Sequence, residues 1–152
     1  MNIYLGYDHA GKNLADGIKQ SIIASGNQVF DMGSAGDAGD DYPDFAFMIA
    51  QKVMVDPESR GILICGTGAG MAMAANKVAG IRAAVATSEQ EATLIRTDNN
   101  ANILALAGRL TPADLAEKLV KIFLNTDFIG GRHQRRIDKI TAYEKEHSLL
   151  SN

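Results

Sequence analysis

Gly61-Ile-Leu-Ile-Cys65-Gly66-Thr67-Gly68-Ala69-Gly70-Met71-Ala-Met-Ala-Ala75-Asn-Lys77 decides how this chain folds. Residues 61–64 are a short apolar run, as expected of a fully buried strand. Glycines then alternate at 66, 68 and 70. An Ala/Met-rich segment of strong helix propensity follows. The only cysteine of the chain stands where the strand ends. A thiol there, facing a helix N-terminus across a glycine loop, is placed to lose its proton, because backbone N–H groups and the helix dipole favour negative charge nearby. The same N–H groups can hold an oxyanion. The segment therefore reads as a base or nucleophile beside an anion cradle. Cys65 taken alone reads at least as well as a buried small apolar residue, and the glycines as a tight turn. The surrounding chain has to separate these readings.

Working outward, strand and helix alternate. Asn2–Tyr7 reads as a buried strand and Gly11–Ser25 as a helix with Leu14, Ile18, Ile22 and Ile23 at helical spacing. Gln28–Asp31 is a second strand. Residues 31–44 hold five aspartates and three glycines, which fits a solvated loop, since no glutamate closes a calcium-loop pattern. Helices are predicted over Pro43–Val55, Met71–Val78 and Glu89–Thr97, and strands over Gly61–Cys65, Ile81–Val85 and Asn102–Ala107. Thr111-Pro112 reads as an N-cap and N1 pair opening a helix to about Asn125. Gly130-Gly131 breaks the chain before a last amphipathic helix, about Arg132 to Leu149. Five alternations predict an α/β fold, a doubly wound parallel sheet with helices on both faces.

Composition bounds the function. At 152 residues, 46% apolar and 22% charged, the chain is expected to form a single folded domain over 1–152. A net charge of −3 offers no reason to expect nucleic acid or membrane as a partner. One cysteine excludes an intrachain disulfide, and no Cys/His cluster suits zinc, so no metal is expected. No apolar run approaches membrane-spanning length and no signal peptide is visible, so a cytoplasmic location is the expectation.

Ligands of such sheets bind beyond the C-terminal strand ends, near the topological switch point. Strand one is followed by Asp8 and His9, strand three by Cys65 and its glycines, strand five by Gly108-Arg109. Asp98 and Asn99 are expected on the same rim. Each has a plain alternative: Asp8 as a helix cap, His9 and Arg109 as solvated side chains. Their convergence favours a site. Arg132 and Arg136, four apart, share one face of the last helix behind a Gly-Gly pair, and arginines suit phosphate. Ile137, Ile140 and Tyr143 form a stripe on which a second subunit could pack.

These residues also form motifs. Gly-Tyr-Asp-His-Ala-Gly at 6–11, Asp-Tyr-Pro at 41–43, Ile-Cys-Gly-Thr-Gly-Ala-Gly at 64–70, Ala-Ala-Asn-Lys at 74–77 with Gly-Ile-Arg at 80–82, and Gly-Gly-Arg-His-Gln at 130–134 resemble the ribose-5-phosphate isomerase B family over nearly the whole length. That family includes galactose-6-phosphate isomerase subunits. The resemblance implies a Rossmann-like five-stranded sheet and a homodimer, or a dimer of dimers, whose sites combine both subunits. It implies interconversion of aldose and ketose phosphates without metal or organic cofactor. Cys65 would be the base that moves a proton between C1 and C2 through an enediolate. Thr67 would assist at the sugar oxygens. The N–H groups around Gly66, Gly68, Ala69 and Gly70 would hold the enediolate, with Asn99 also in the substrate site. Asp8 and Tyr42 would meet sugar hydroxyls; His9, Arg109, Arg132 and Arg136 would bind phosphate. One branch of the family uses a glutamate where Met71 stands, which leaves Cys65 as the base here.

One position departs from the family. Asp98 stands where the ring-opening histidine is usual, and an aspartate of ordinary pKa is a poor acid at neutral pH. Ribose 5-phosphate and ribulose 5-phosphate are the expected pair. A tetrulose 4-phosphate, which forms no furanose ring, and galactose 6-phosphate are alternatives. A non-enzymatic dinucleotide-binding module, with Asp31 as its ribose carboxylate, is a reading from a different class.

Overall fold

The computed structural model describes residues 1–37 and 39–148. Five strands, β1 (Asn2–Tyr7), β2 (Gln28–Asp31), β3 (Arg60–Cys65), β4 (Ala83–Val85) and β5 (Ile103–Ala107), form one parallel sheet in the order β2-β1-β3-β5-β4. Among the described residues six helices accompany them: α1 (Lys12–Ala24), α2 (Tyr42–Val55), α3 (Ala69–Ala75), α4 (Glu89–Thr97), α5 (Ala113–Asn125) and α6 (Arg132–Ser148). The doubly wound sheet expected from the alternation is present. Leu149, the expected end of the last helix, lies outside the described residues.

Strand side chains alternate between two cores, as the pleat requires. Ile3, Leu5, Ile62, Ile64, Leu104 and Leu106 pack beneath α1, α4 and α5. Leu63, Cys65, Ile103 and Ala105 face the other way, against Ile49 and Val53 of α2 and Met71 and Ala75 of α3. Two buried faces explain why β3 and β5 read as continuous apolar runs rather than alternating ones. The chain leaves β1 towards β2 on one side of the sheet and leaves β3 towards β4 on the other. The switch point therefore falls between the C-terminal ends of β1 and β3.

Several boundaries move. α3 begins at Ala69, two residues before the predicted Met71, because Gly68 already turns the chain with φ +76°. α5 starts at Ala113, and Pro112, with ψ 146°, is still extended; Thr111 does not cap it. β4 is only three residues long, since Ile81 and Arg82 belong to the turn that enters it. Among the described residues no helix is long and apolar enough to cross a membrane.

Arg96 is a structural cation that the helical pattern concealed. It is buried at 3% exposure. Its Nε donates to the Thr126 carbonyl at 3.1 Å, and its Nη1 donates to the Ala101 carbonyl at 2.6 Å and to Asn100 Oδ1 at 2.9 Å. The guanidinium lies 5.7 Å from the centre of the Phe123 ring, within cation–π range. Burial, with Arg60 and Arg82 nearby, pulls its pKa down to about 10, so it stays charged at neutral pH. It thereby ties the end of α4 to the segment that leads into α6. Arg96→Met keeps the stem but strands two main-chain acceptors. It should lower the unfolding free energy by about 2–3 kcal/mol, read as a lower urea midpoint at unchanged slope.

Candidate active site

Because Leu63 faces α2 and α3, Cys65 two residues later faces them too, and its thiol is turned under the loop that enters α3. Gly68 closes that loop in the left-handed region and points its N–H at Sγ, 3.2 Å away. A side chain at Gly68 would be strained at this φ whatever space it had. The thiol is thus buried, at 4% exposure, yet it accepts a hydrogen bond that an anionic sulfur would strengthen. Cys65 is at once a wall of the core and a sulfur with a donor.

Two side chains lie across the same loop. A Cβ built on Gly66 would come 3.3 Å from Nη1 of Arg109, and one on Gly70 would come 2.7 Å from Cζ of Tyr42. The alternating glycines therefore admit the guanidinium and the phenol ring next to the thiol. The main chain of Gly108 and Arg109 is fixed by donation from Gly108 N–H to the Cys65 carbonyl and from Arg109 N–H to the Gly66 carbonyl.

Across the crevice, Asp8 is buried and uses Oδ1 to accept from the N–H groups of Ala10 and Gly11, at 2.9 and 3.1 Å. It holds the turn that precedes α1, whose N-cap is Gly11, so Asp8 is not the helix cap. His9 follows, its Nδ1 2.7 Å from Oδ1 of Asp40. Asp40 belongs to the acidic segment read as solvated. No local pattern announces a partner 31 residues away.

The remaining predicted residues do not join this rim. Asp98 caps the C-terminal end of α4, which runs back against the strands, and so it lies at the N-terminal edge of the sheet, before β5. Asn99 goes with it. The expectation that a single rim collects Cys65, His9 and both Asp8 and Asp98 is corrected: β5 alone, at about 3.3 Å per residue, separates the two edges by roughly 13 Å. At that second edge Ile129 N–H donates to the Thr97 carbonyl and brings α6 up to the end of α4. Asp98, Asn99, His133 and Arg136 then line a cavity of about 500 Å³ with Arg82 and Asn76. Asp98 accepts from the Thr97 hydroxyl at 2.8 Å and lies 3.8 Å from Nδ1 of buried His133. Arg132 Nε donates to His133 Nε2 at 3.3 Å. One chain thus carries two separate clusters: the thiol, Tyr42 and Arg109 at one edge, and Asp98, Asn99, Arg132 and Arg136 at the other. Arg109, Arg132 and Arg136 make no ion pair among the described residues.

The dinucleotide alternative loses its carboxylate, because Asp31 is ion-paired with Lys19 at 2.8 Å. Among the described residues no three His, Cys, Asp or Glu side chains gather as metal ligands.

An α/β sheet with a thiol at its switch point and cations around it belongs to a class of enzymes that work on anionic substrates at strand ends. A family profile described as Ribose/Galactose Isomerase matches residues 3–140, and the chain belongs to this family of sugar-phosphate isomerases. It is 49% identical over 147 residues to the probable ribose-5-phosphate isomerase B of Mycoplasma genitalium, covering 95% of this chain and 97% of that one. It is 40% identical to ribose-5-phosphate isomerase B of Escherichia coli, over 96% and 98% of the two chains. The crystal structure of the Mycoplasma genitalium protein with bound ribulose-5-phosphate superposes with a TM-score of 0.93, covering 95% and 97%. That of the Clostridium thermocellum protein, 46% identical, also gives 0.93.

Gly70→Ala puts a methyl where the Tyr42 ring lies. Tyr42 is 38% exposed and can swing out, so thermal stability should change by less than about 1 kcal/mol. KM for a sugar phosphate should rise by up to about tenfold, the worth of one hydrogen bond. An unchanged KM would exclude Tyr42 from the substrate site.

Proposed function

We propose that this protein interconverts ribose 5-phosphate and ribulose 5-phosphate with Cys65 as the base. The observation that carries the reading is the buried Cys65 sulfur under the Gly68 N–H, at the switch point of the sheet. The thiolate takes a proton from C2 of the open aldose, and the electron pair passes into an enediolate. The proton on O2 passes to O1, helped by the Thr67 hydroxyl, and the carbon proton returns at C1, so that C2 becomes the ketose carbonyl. The Gly68 amide is engaged with sulfur, so the other N–H groups of 66–70 and the Thr67 hydroxyl, which is exposed, serve the developing oxyanion. A metal ion is not needed for this step, because the cradle supplies the stabilising charge. The 49% identical neighbour with ribulose-5-phosphate bound supports the choice of sugar.

The active unit in this reading is a homodimer. The two half-sites of one chain lie at opposite edges, so the phosphate-binding Arg132 and Arg136 of a second copy would complete the Cys65 rim of the first. α6 suits such packing: Ile140 and Tyr143 stand 52% and 63% exposed on it, and Met73 of α3 is 64% exposed.

Mixing two inactive chains tests base and dimer together. Cys65→Ala alone should lose at least about 10²-fold in kcat, the lower end for general base catalysis. Arg136→Ala should mainly raise KM, by about 1.5–3 kcal/mol for a charge-assisted phosphate contact. A heterodimer of the two carries one doubly damaged and one intact site. Measurable recovery of turnover in purified heterodimers is expected; none, with the heterodimer verified, would mean that each site is built within one chain.

Asp98 sets the second expectation. Substrates that start without a ring, ribulose 5-phosphate or a tetrulose 4-phosphate, should be handled relatively better than ribose 5-phosphate. General acid help is worth roughly 10²–10⁴-fold, so Asp98→His should raise kcat/KM for ribose 5-phosphate more than for a tetrose phosphate. Exchange of the C1/C2 proton across such a panel measures it. Wild-type turnover of ribose 5-phosphate far above the rate of spontaneous ring opening, with no gain in the variant, would refute it.

A further inference from the structure

One carboxylate at the rim caps no helix and takes no part in the proton transfer. Asp40 lies between β2 and α2, and its neighbour Asp41, not Asp40, occupies the N-cap position of α2. Its Oδ1 accepts twice from one residue, from His9 Nδ1 at 2.7 Å and from His9 N–H at 3.3 Å. Its side chain is 13% exposed, and Oδ2 is buried with no hydrogen-bond partner among the described residues. Burial raises the proton affinity of Asp40, but the nearby Ser34 hydroxyl and His9 outweigh it and hold the carboxyl below the usual carboxylate range. Asp40 is therefore an anion held against the imidazole.

The pair gives His9 a direction. A carboxylate on Nδ1 keeps a proton on that nitrogen and fixes the ring plane, so Nε2 faces away from Asp40. The ring is one-third exposed and belongs to the turn after β1, on the crevice it shares with Cys65. Protonated at both nitrogens, the ring would donate from Nδ1 to Asp40 and from Nε2 to an anion. Arg109, across the crevice, has no ion pair among the described residues and suits the same anion.

We propose that Asp40 is a positioning residue of this site, locking His9 so that Nε2 donates to the phosphate of the ligand. The identity of that ligand as a sugar phosphate rests on the isomerase reading; the positioning itself does not.

Inorganic phosphate is the probe, measured as a competitive inhibitor and by ¹⁵N spectra of histidine-labelled protein. In the wild type, His9 should show a protonated Nδ1, and its Nε2 signal should move on adding phosphate. Asp40→Asn should weaken phosphate and raise KM by about tenfold, with a much smaller change in kcat. Asp40→Glu should recover part of the loss. Asp40→Asn in a His9→Gln background should cost nothing further, since the carboxylate acts through the ring. Independent, multiplying losses in the double variant would overturn the proposal, as would an Nε2 signal indifferent to phosphate or an Asp40→Asn defect confined to kcat. If Asp40→Asn does not fold, the wild-type spectra and Asp40→Glu still decide. The ¹⁵N titration with phosphate needs no turnover, so a chain inactive on every sugar phosphate would refute the isomerase reading while leaving that arm of the test readable.

Discussion

A helix that joins two parallel strands must carry the chain back from one edge of the sheet to the other. Everything about this site follows from that constraint. Residues at the end of a strand or just after it, Asp8, His9, Cys65 and Arg109, gather at the C-terminal edge. Residues just after a connecting helix, Asp98, Asn99 and the segment leading into α6, gather at the opposite edge. No rearrangement of side chains within one chain brings the two sets together, because the sheet between them is a packed core with β3 and β5 covered on both faces. Within one chain the two sets therefore stand apart.

Within the thiol edge, space and charge act together. The core needs Cys65 as part of its α2 and α3 face, while the turn at Gly68 gives the same sulfur an N–H donor. The neighbouring glycines keep room for a guanidinium and a phenol ring, which any Cβ would crowd. The chain is net negative, yet Arg109 at one edge and Arg132 and Arg136 at the other make no ion pair among the described residues. Cations left without carboxylates on an acidic protein are suited to an anionic ligand, and the family supplies one in the phosphorylated sugar.

Much of the fold was legible. The strand at 61–65, the glycine loop and the helix behind it follow from propensity and apolar length, and repeating that unit predicts the parallel sheet. Boundaries were less so. α3 starts early because the left-handed turn at Gly68 lets the helix begin sooner than the alanine run implies. Thr111-Pro112 looks like a helix start, yet Pro112 stays extended. Arg96, at a position that reads as helical surface, is buried because three acceptors from outside its helix converge on it.

By itself the sequence determined the α/β class, the strand-end thiol and the motifs that mark the isomerase family, because these depend on residues within a few positions of one another. Only the tertiary structure decided that Asp98 and Asn99 stand at the far edge, that Asp40 reaches back to His9, and that His133 is buried beside Asp98. Each is a contact or separation between residues many positions apart. Local propensity has no means of recording it, since it arises from the direction in which packed helices cross the sheet.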